Sequence, residues 1–153
     1  LYILALYSSG FIFSGFIFWF YILRFYIRIV NLIFMAIHNQ LGKWGEDVAA
    51  DFLQQKGYRI VTRNWKYGKR DLDIVATDGD TLVVVEVKTR SGNILIQPEM
   101  AVDYAKLMSL RKAANAFVKA RLIDATIRFD VVSISVQTAQ QYKIVHYQDI
   151  SMY

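Results

Sequence analysis

The chain has 153 residues, the size of one ordinary domain. Its 18 Lys and Arg against 13 Asp and Glu leave a net charge of +5, which admits a polyanionic partner without the charge density of a polycationic tail. Cysteine is absent, which excludes a disulfide framework, a thiolate-ligated zinc or iron–sulfur site, and a thiol nucleophile.

Hydrophobicity is unevenly spread. Residues 1–34 hold 26 apolar side chains, 12 of the 23 aromatics, two arginines and no acid, while residues 35–153 have the balance of a globular domain. The first 23 residues carry no charge, and as a helix they would span about 35 Å, enough for a bilayer core. Arg24, Arg28 and Lys43 follow, which under the positive-inside rule leaves residues 35–153 in the cytoplasm. A cleaved signal peptide fits poorly, because no basic residue precedes the apolar run and no small-residue cleavage site follows it. Two expectations therefore stay open for residues 1–34. They form a membrane anchor, or they translate AT-rich upstream DNA, with Met35, the first methionine, as the true start of a cytoplasmic protein.

From residue 35 onward the pattern predicts alternating helices and strands. Leu41, Trp44, Val48, Ala49, Phe52 and Leu53 recur at three and four, giving a helix over 40–56 with Gly57 as its C-terminal cap. Residues 58–65 read as a strand, 66–69 as a turn, 71–77 as a second strand and 81–89, with four valines, as a third. A loop through Asn93 and Pro98 leads to a second amphipathic helix over 99–121, with Leu107, Leu110, Ala114, Phe117 and Val118 on one side. Residues 126–136 form a fourth strand and 142–147 a short fifth, with the polar stretch 137–141 as a candidate linker. The expected class is α/β, with an αβββαβ core and a mixed sheet flanked by helices.

The chemistry gathers on the hairpin of the second and third strands. Glu86 and Lys88 share one strand face while Val83, Val85 and Val87 share the other. A two-residue turn at Gly79-Asp80 would set Asp73 opposite Glu86 and Asp71 opposite Lys88, and a turn one residue earlier keeps all four on one face. Three acids and one lysine in a sheet are costly unless something neutralises them. A hard divalent cation does so and can activate water against a phosphate. The competing explanation is a structural ion-pair cluster.

These residues carry a family resemblance. Asp73, a hairpin, then Glu86-Val87-Lys88 within αβββαβ resembles the PD-(D/E)XK, restriction-endonuclease-like superfamily. More narrowly, GKWGEDVAADFLQQKGYRIVTRNWK, DLDIVATDGDTLVVVEVKTR, the helix near Lys106 and RFDVVSISV together are similar to the YraN family of uncharacterised bacterial proteins, over about residues 41–147. The resemblance implies metal-dependent hydrolysis of DNA phosphodiesters, in repair or recombination. Asp73 and Glu86 would be ligands of Mg2+ or Mn2+, Lys88 the catalytic lysine, and Glu46 a further catalytic and metal-binding acid, as in Holliday junction resolvases. It also implies DNA over RNA, and a homodimer. The family pattern has Gly-Glu-hydrophobic-Asp where this chain has Arg70-Asp71-Leu72-Asp73, which puts a role for Asp71 in doubt. A nucleic-acid-binding module that keeps the fold without activity is the alternative.

Arg90, Lys106 and Lys112 are candidate nucleic-acid contacts, with Arg111 and Lys119 beside them. Arg128 and Asp130 share a strand face and are expected to form a structural ion pair. Trp44 and Trp65 are expected in the core, and His38 and His146 are too isolated in sequence to nominate a site.

Overall fold

The computed structural model describes residues 2–92, 102–138 and 140–150, with side chains from residue 19 onward. One helix, α1 (Tyr2–Gln55), runs through both the apolar stretch and the predicted helix, so the expected helix start at residue 40 is not a boundary. Nothing in Met35-Ala-Ile-His-Asn-Gln-Leu41 breaks a helix, and Gly42 and Gly45 cost it only about 1 kcal/mol each. The break comes at Gly57, whose φ of 92° is open to glycine. There the Tyr58 N–H reaches back to the Leu53 carbonyl at 3.0 Å, and the Gly57 N–H to that of Gln54 at 2.9 Å, closing the helix end.

The chain divides into two compact units, Leu1–Gln40 and Leu41–Tyr153. In the first, every described side chain from Trp19 to Gln40 is exposed, including Phe25, Tyr26, Leu32 and Phe34. The helix from Trp19 is long and apolar enough to cross a bilayer.

The second unit is a five-stranded sheet in the order β1-β2-β3-β4-β5, from β1 (Arg59–Tyr67), β2 (Arg70–Asp78), β3 (Thr81–Ser91), β4 (Ile127–Thr138) and β5 (Gln141–Tyr147). Helix α2 (Tyr104–Arg121) joins β3 to β4. The β3–β4 pair is parallel and the other three are antiparallel, so the sheet is mixed and the fold is α/β, in keeping with the nuclease-like core expected.

Two differences from the expected elements have local causes. Helix α2 begins at Tyr104 rather than 99, because the Asp103 side chain accepts the Lys106 N–H at 2.7 Å and caps it; residues 99–101, and the loop through Asn93 and Pro98, lie outside the described residues. The polar stretch 137–141 is no linker: Thr138 pairs with Gln141, making it the tip of the β4–β5 hairpin.

Each sheet face has its own core. Val83 and Val85 with Ile74, Ala76, Val132 and Ile134 pack against Ala49, Ala50 and Leu53 of α1. Leu82 and Val84 with Leu72, Val75 and Val131 pack against Leu107, Leu110 and Phe117 of α2. The strand period of two thus sends alternate residues of β3 to opposite helices. At Gly45 the α1 backbone lies so close to β3 that a Cβ would overlap the Thr89 hydroxyl and come within 2.9 Å of the Thr89 Cβ.

Substituting Gly45→Ala should therefore destabilise the domain by about 1–3 kcal/mol through overpacking. Thr89→Ala in the same chain should recover part of that loss, measured by urea denaturation. A Gly45→Ala chain as stable as the wild type would contradict the close approach.

Candidate functional site

The β2–β3 hairpin has the two-residue turn expected at Gly79-Asp80: Asp78 pairs with Thr81, and the register runs unbroken to Ile74 opposite Val85. Beyond that pair the strands part. Strand β2 continues on β1 as far as Arg70, and β3 continues on β4 as far as Ser91. Asp73 sits where they diverge. Its Oδ2 accepts the Val87 N–H at 2.8 Å, so a side chain takes the hydrogen bond that a continuing ladder would have supplied.

The same place interrupts the alternation of β2. Val75 and Leu72 both face α2, whereas Ile74 and Ala76 face α1. In the matching stretch of β1, Asn64 holds a left-handed φ of 52°. Asp71 is exposed and lines a shallow depression with Lys66, Lys69 and Arg70. Strict alternation, which would place it beside Asp73 and Glu86, does not hold through this stretch.

Glu86 faces α2 with its side chain 3% exposed. Its Oε1 accepts from Lys88 Nζ at 2.7 Å and lies 2.9 Å from Lys106 Nζ, while Oε2 is buried without a hydrogen-bond partner. Lys88 is placed by the strand period. Lys106 is placed by the helix cap, since Asp103 holds its backbone N–H in the first turn of α2. Among the described residues, then, Asp73, Glu86, Lys88 and Lys106 form one electrostatic cluster.

The two acids are not equivalent. Burial, then the charge of Glu86, push the Asp73 carboxyl up to about 7. The Val87 N–H and the Lys106 charge pull it the other way, and Glu46 adds to the rise. Burial opposes the charge on Lys106, but Glu86, by charge and by hydrogen bond, holds its ammonium above the ordinary lysine range. Two lysines thus balance Glu86, and Asp73 is left short of positive charge.

Glu46 is half-buried, makes no described hydrogen bond, and reaches the cluster through its field on Asp73. Among the described residues no three of His, Asp and Glu are gathered closely enough to form a ready-made metal cage. Magnesium, however, is usually held by one or two carboxylates together with waters and substrate phosphates. Asp73, and Glu86 with its unpartnered buried oxygen, fit that donor set.

The expected nucleic-acid contacts separate. Lys106 is engaged with Glu86, and Arg90 is exposed at the end of β3, 3.4 Å from the Thr89 carbonyl. Lys112 lies away from the acids, in a groove with Tyr67, Arg70 and Lys119. Trp65 packs edge-on against Phe117 at 5.2 Å and Trp44 against Tyr142 at 5.2 Å, on the margins of the two cores as expected. The Arg128–Asp130 pair forms at 2.9 Å. His146, which looks isolated in the sequence, has its Nε2 2.9 Å from Asp130 Oδ2 and its side chain 1% exposed. Only the β4–β5 register, with its irregularity between Val136 and Thr138, could have located it.

The raised Asp73 value has a consequence for the metal-free protein. An unfolded aspartate titrates near 3.9 and the folded one near 7, so the fold prefers the protonated form. That contribution is fully present below about pH 4 and is lost as the pH rises to about 7. Asp73→Asn should flatten the stability profile across this window and exceed the wild type by a few kcal/mol at about pH 8. Parallel urea-midpoint profiles for the two chains would contradict the assignment.

The model of Uncharacterised protein family UPF0102 matches residues 45–134, the span that carries the hairpin, Lys106 and the RFD strand. The UPF0102 protein FP2501 of Flavobacterium psychrophilum is 44% identical over 115 residues, covering 75% of this chain and 96% of the relative. A UPF0102 protein of Bacteroides thetaiotaomicron is 48% identical over 100 residues, 65% of this chain and 83% of the relative. One from Christiangramia forsetii is 40% identical over 119 residues, 78% and 99% of the two chains. With the family model and full-length relatives agreeing over the domain that builds the site, the chain belongs to the UPF0102, or YraN, family.

Proposed function

We propose that residues 35–153 form a nucleic-acid-binding, nuclease-like domain that hydrolyses DNA phosphodiester bonds with Mg2+ or Mn2+, acting on branched or repair intermediates. The observation that carries this reading is the pair of desolvated carboxylates where β2 and β3 part: Asp73 is pushed up to about 7 and Glu86 has a buried, unpartnered oxygen beside a lysine on its own strand. Buried polar groups are rarely left in this condition without a ligand or catalytic role to account for it.

In this reading Asp73 and Glu86 hold the cation, and Glu46 adds negative charge from α1. The ion supplies Lewis-acid charge at the phosphate and lowers the pKa of bound water. Lys88 directs its ammonium to the charge that develops on the phosphate, a preorganised electrostatic role. Lys106 shares the same carboxylate and gives a second cation for the substrate backbone, with Arg90 further along β3. Many nucleases act on two strands as pairs, which supports a homodimer. The apolar residues 1–34, whose uncharged run 1–23 is followed by Arg24, Arg28 and then Lys43, support a membrane-anchored form with the domain on the cytoplasmic side; a form lacking residues 1–34 is cytoplasmic.

A second reading, a nucleic-acid-binding module without activity, is favoured by the two ammonium groups already held by Glu86 Oε1, since such a cluster can also be a structural ion-pair network.

The full-length chain in detergent, offered linear, nicked, flapped, four-way and single-stranded DNA with Mg2+ or Mn2+, separates the two readings. The enzyme reading expects cleavage that Glu86→Ala abolishes and Lys88→Ala slows by about 10²–10³, both chains keeping wild-type DNA binding. Cleavage unchanged in Glu86→Ala overturns the site. Binding without cleavage in all three chains supports the second reading.

A further inference from the structure

The hairpin of β1 and β2 and the outer face of α2 form a groove that the acid cluster does not use. It is lined by Tyr67, Arg70, Lys112, Asn115, Ala116 and Lys119. Lys112, Asn115, Ala116 and Lys119 follow one another at three and four, so they share a helical stripe, opposite the buried Leu110, Ala113, Ala114 and Phe117. The two lysines, seven residues apart, stand about 10 Å apart along the helix. The depression next to it adds Lys66 and Lys69. None of these five cations takes part in an ion pair among the described residues. The groove lining itself contains no acid, and the depression beside it holds one, Asp71, so the patch sets five cations against a single carboxylate.

The groove also has an aromatic wall. Phe117 holds Trp65 edge-on at 5.2 Å, and Tyr67 stacks parallel to Trp65, with 4° between the rings and 6.1 Å between their centres. Tyr67 is 48% exposed. The buried core therefore fixes the plane of a half-exposed ring beside three cations. The groove's volume, 340 Å³, is at the low end for sites that take small organic molecules, about 300–1,000 Å³. That is room for one unpaired nucleotide.

We propose that this groove binds a single strand of nucleic acid, with its phosphates on Arg70, Lys112 and Lys119 and an unpaired base stacked on Tyr67. Cations tracking a backbone together with an aromatic platform are what sequence-tolerant single-strand binding requires. An acidic peptide would satisfy the charge but leave the tyrosine face unused. The inference rests on the nucleic-acid reading above and deepens it: the substrate is one with an unpaired segment, held along α2 at a distance from the acids.

The test is fluorescence anisotropy of the full-length chain in detergent with EDTA, using a labelled oligothymidylate and a duplex of equal length, across a salt series. The single strand should bind more tightly than the duplex. The double substitution Lys112→Ala, Lys119→Ala should weaken it about tenfold or more, and the slope of log affinity against log salt should become shallower by about 0.7 for each phosphate no longer neutralised. Tyr67→Ala should weaken the single strand about tenfold and leave the duplex unchanged, while Tyr67→Phe keeps wild-type affinity. All these side chains are exposed, so thermal midpoints should hold. Wild-type binding that persists in the lysine and Tyr67→Ala variants overturns the groove while sparing the nucleic-acid reading. Loss of duplex and single strand alike in Tyr67→Ala overturns the stacking. A wild-type chain that binds neither probe overturns the groove together with the reading beneath it.

Discussion

Strands β2 and β3 stop pairing after Ile74 and Val85, and the site depends on that separation. A continuing ladder would use the Val87 N–H for backbone pairing; the divergence leaves it to the carboxylate of Asp73. The acid is thereby drawn into a partly buried place beside Glu86, where poor solvation and the charge of Glu86 oppose the ionisation of Asp73. The lysines respond to the same constraint. Both are directed at Glu86, one by the strand period and one by the cap of α2, and Asp73 is left as the group with the unmet demand for positive charge.

A second buried acid in the same sheet shows what a satisfied carboxylate looks like. Asp130 is 1% exposed, yet against the upward push of burial, hydrogen bonds from His146, Arg128 and the Asp149 N–H hold it below the ordinary aspartate range. Both its oxygens are engaged, Oδ1 by Arg128 Nε and the Asp149 N–H, Oδ2 by Arg128 and His146. Arg128 in turn reaches Asp78 and the Tyr58 hydroxyl, tying β4 to the hairpin and to the residue just before β1. Removing one partner from such a network costs far more than its net contribution suggests. The two acids are pushed in opposite directions, Asp130 by a full set of partners and Asp73 by burial and the charge of Glu86.

Much of this was legible in the chain. The Asp78-Gly79-Asp80 stretch marks a tight turn, and either placement of that turn puts Asp73 and Glu86 on one face of the hairpin; the structure takes the turn at Gly79-Asp80. The valines of β3 and the apolar stripe of α2 mark their faces by period alone. What the sequence hid depends on tertiary contact or on single backbone angles. The left-handed Asn64 and the broken alternation at Asp73, which leave Asp71 exposed, have no signature in a strand pattern. The contact of Lys106 with Glu86 is a tertiary one that the helical pattern of α2 does not specify. His146 read as isolated because its partner lies on another strand across an irregular register. The close fit of Gly45 on Thr89 is likewise a tertiary contact, and the helix start at 40 came from where the three-and-four apolar pattern begins, whereas the helical backbone already runs from Tyr2.

The central claim is that Asp73 and Glu86 form a cation site, and calorimetric titration of Mn2+ into the full-length chain in detergent tests it most directly. At about pH 7 Asp73 is close to half-protonated, so the account predicts binding accompanied by proton release, seen as a heat that varies with the buffer's ionisation enthalpy. Both signals should disappear in an Asp73→Asn, Glu86→Gln chain that folds as the wild type does. A double variant that binds Mn2+ with the wild-type isotherm, or a wild-type chain that binds none, would contradict it.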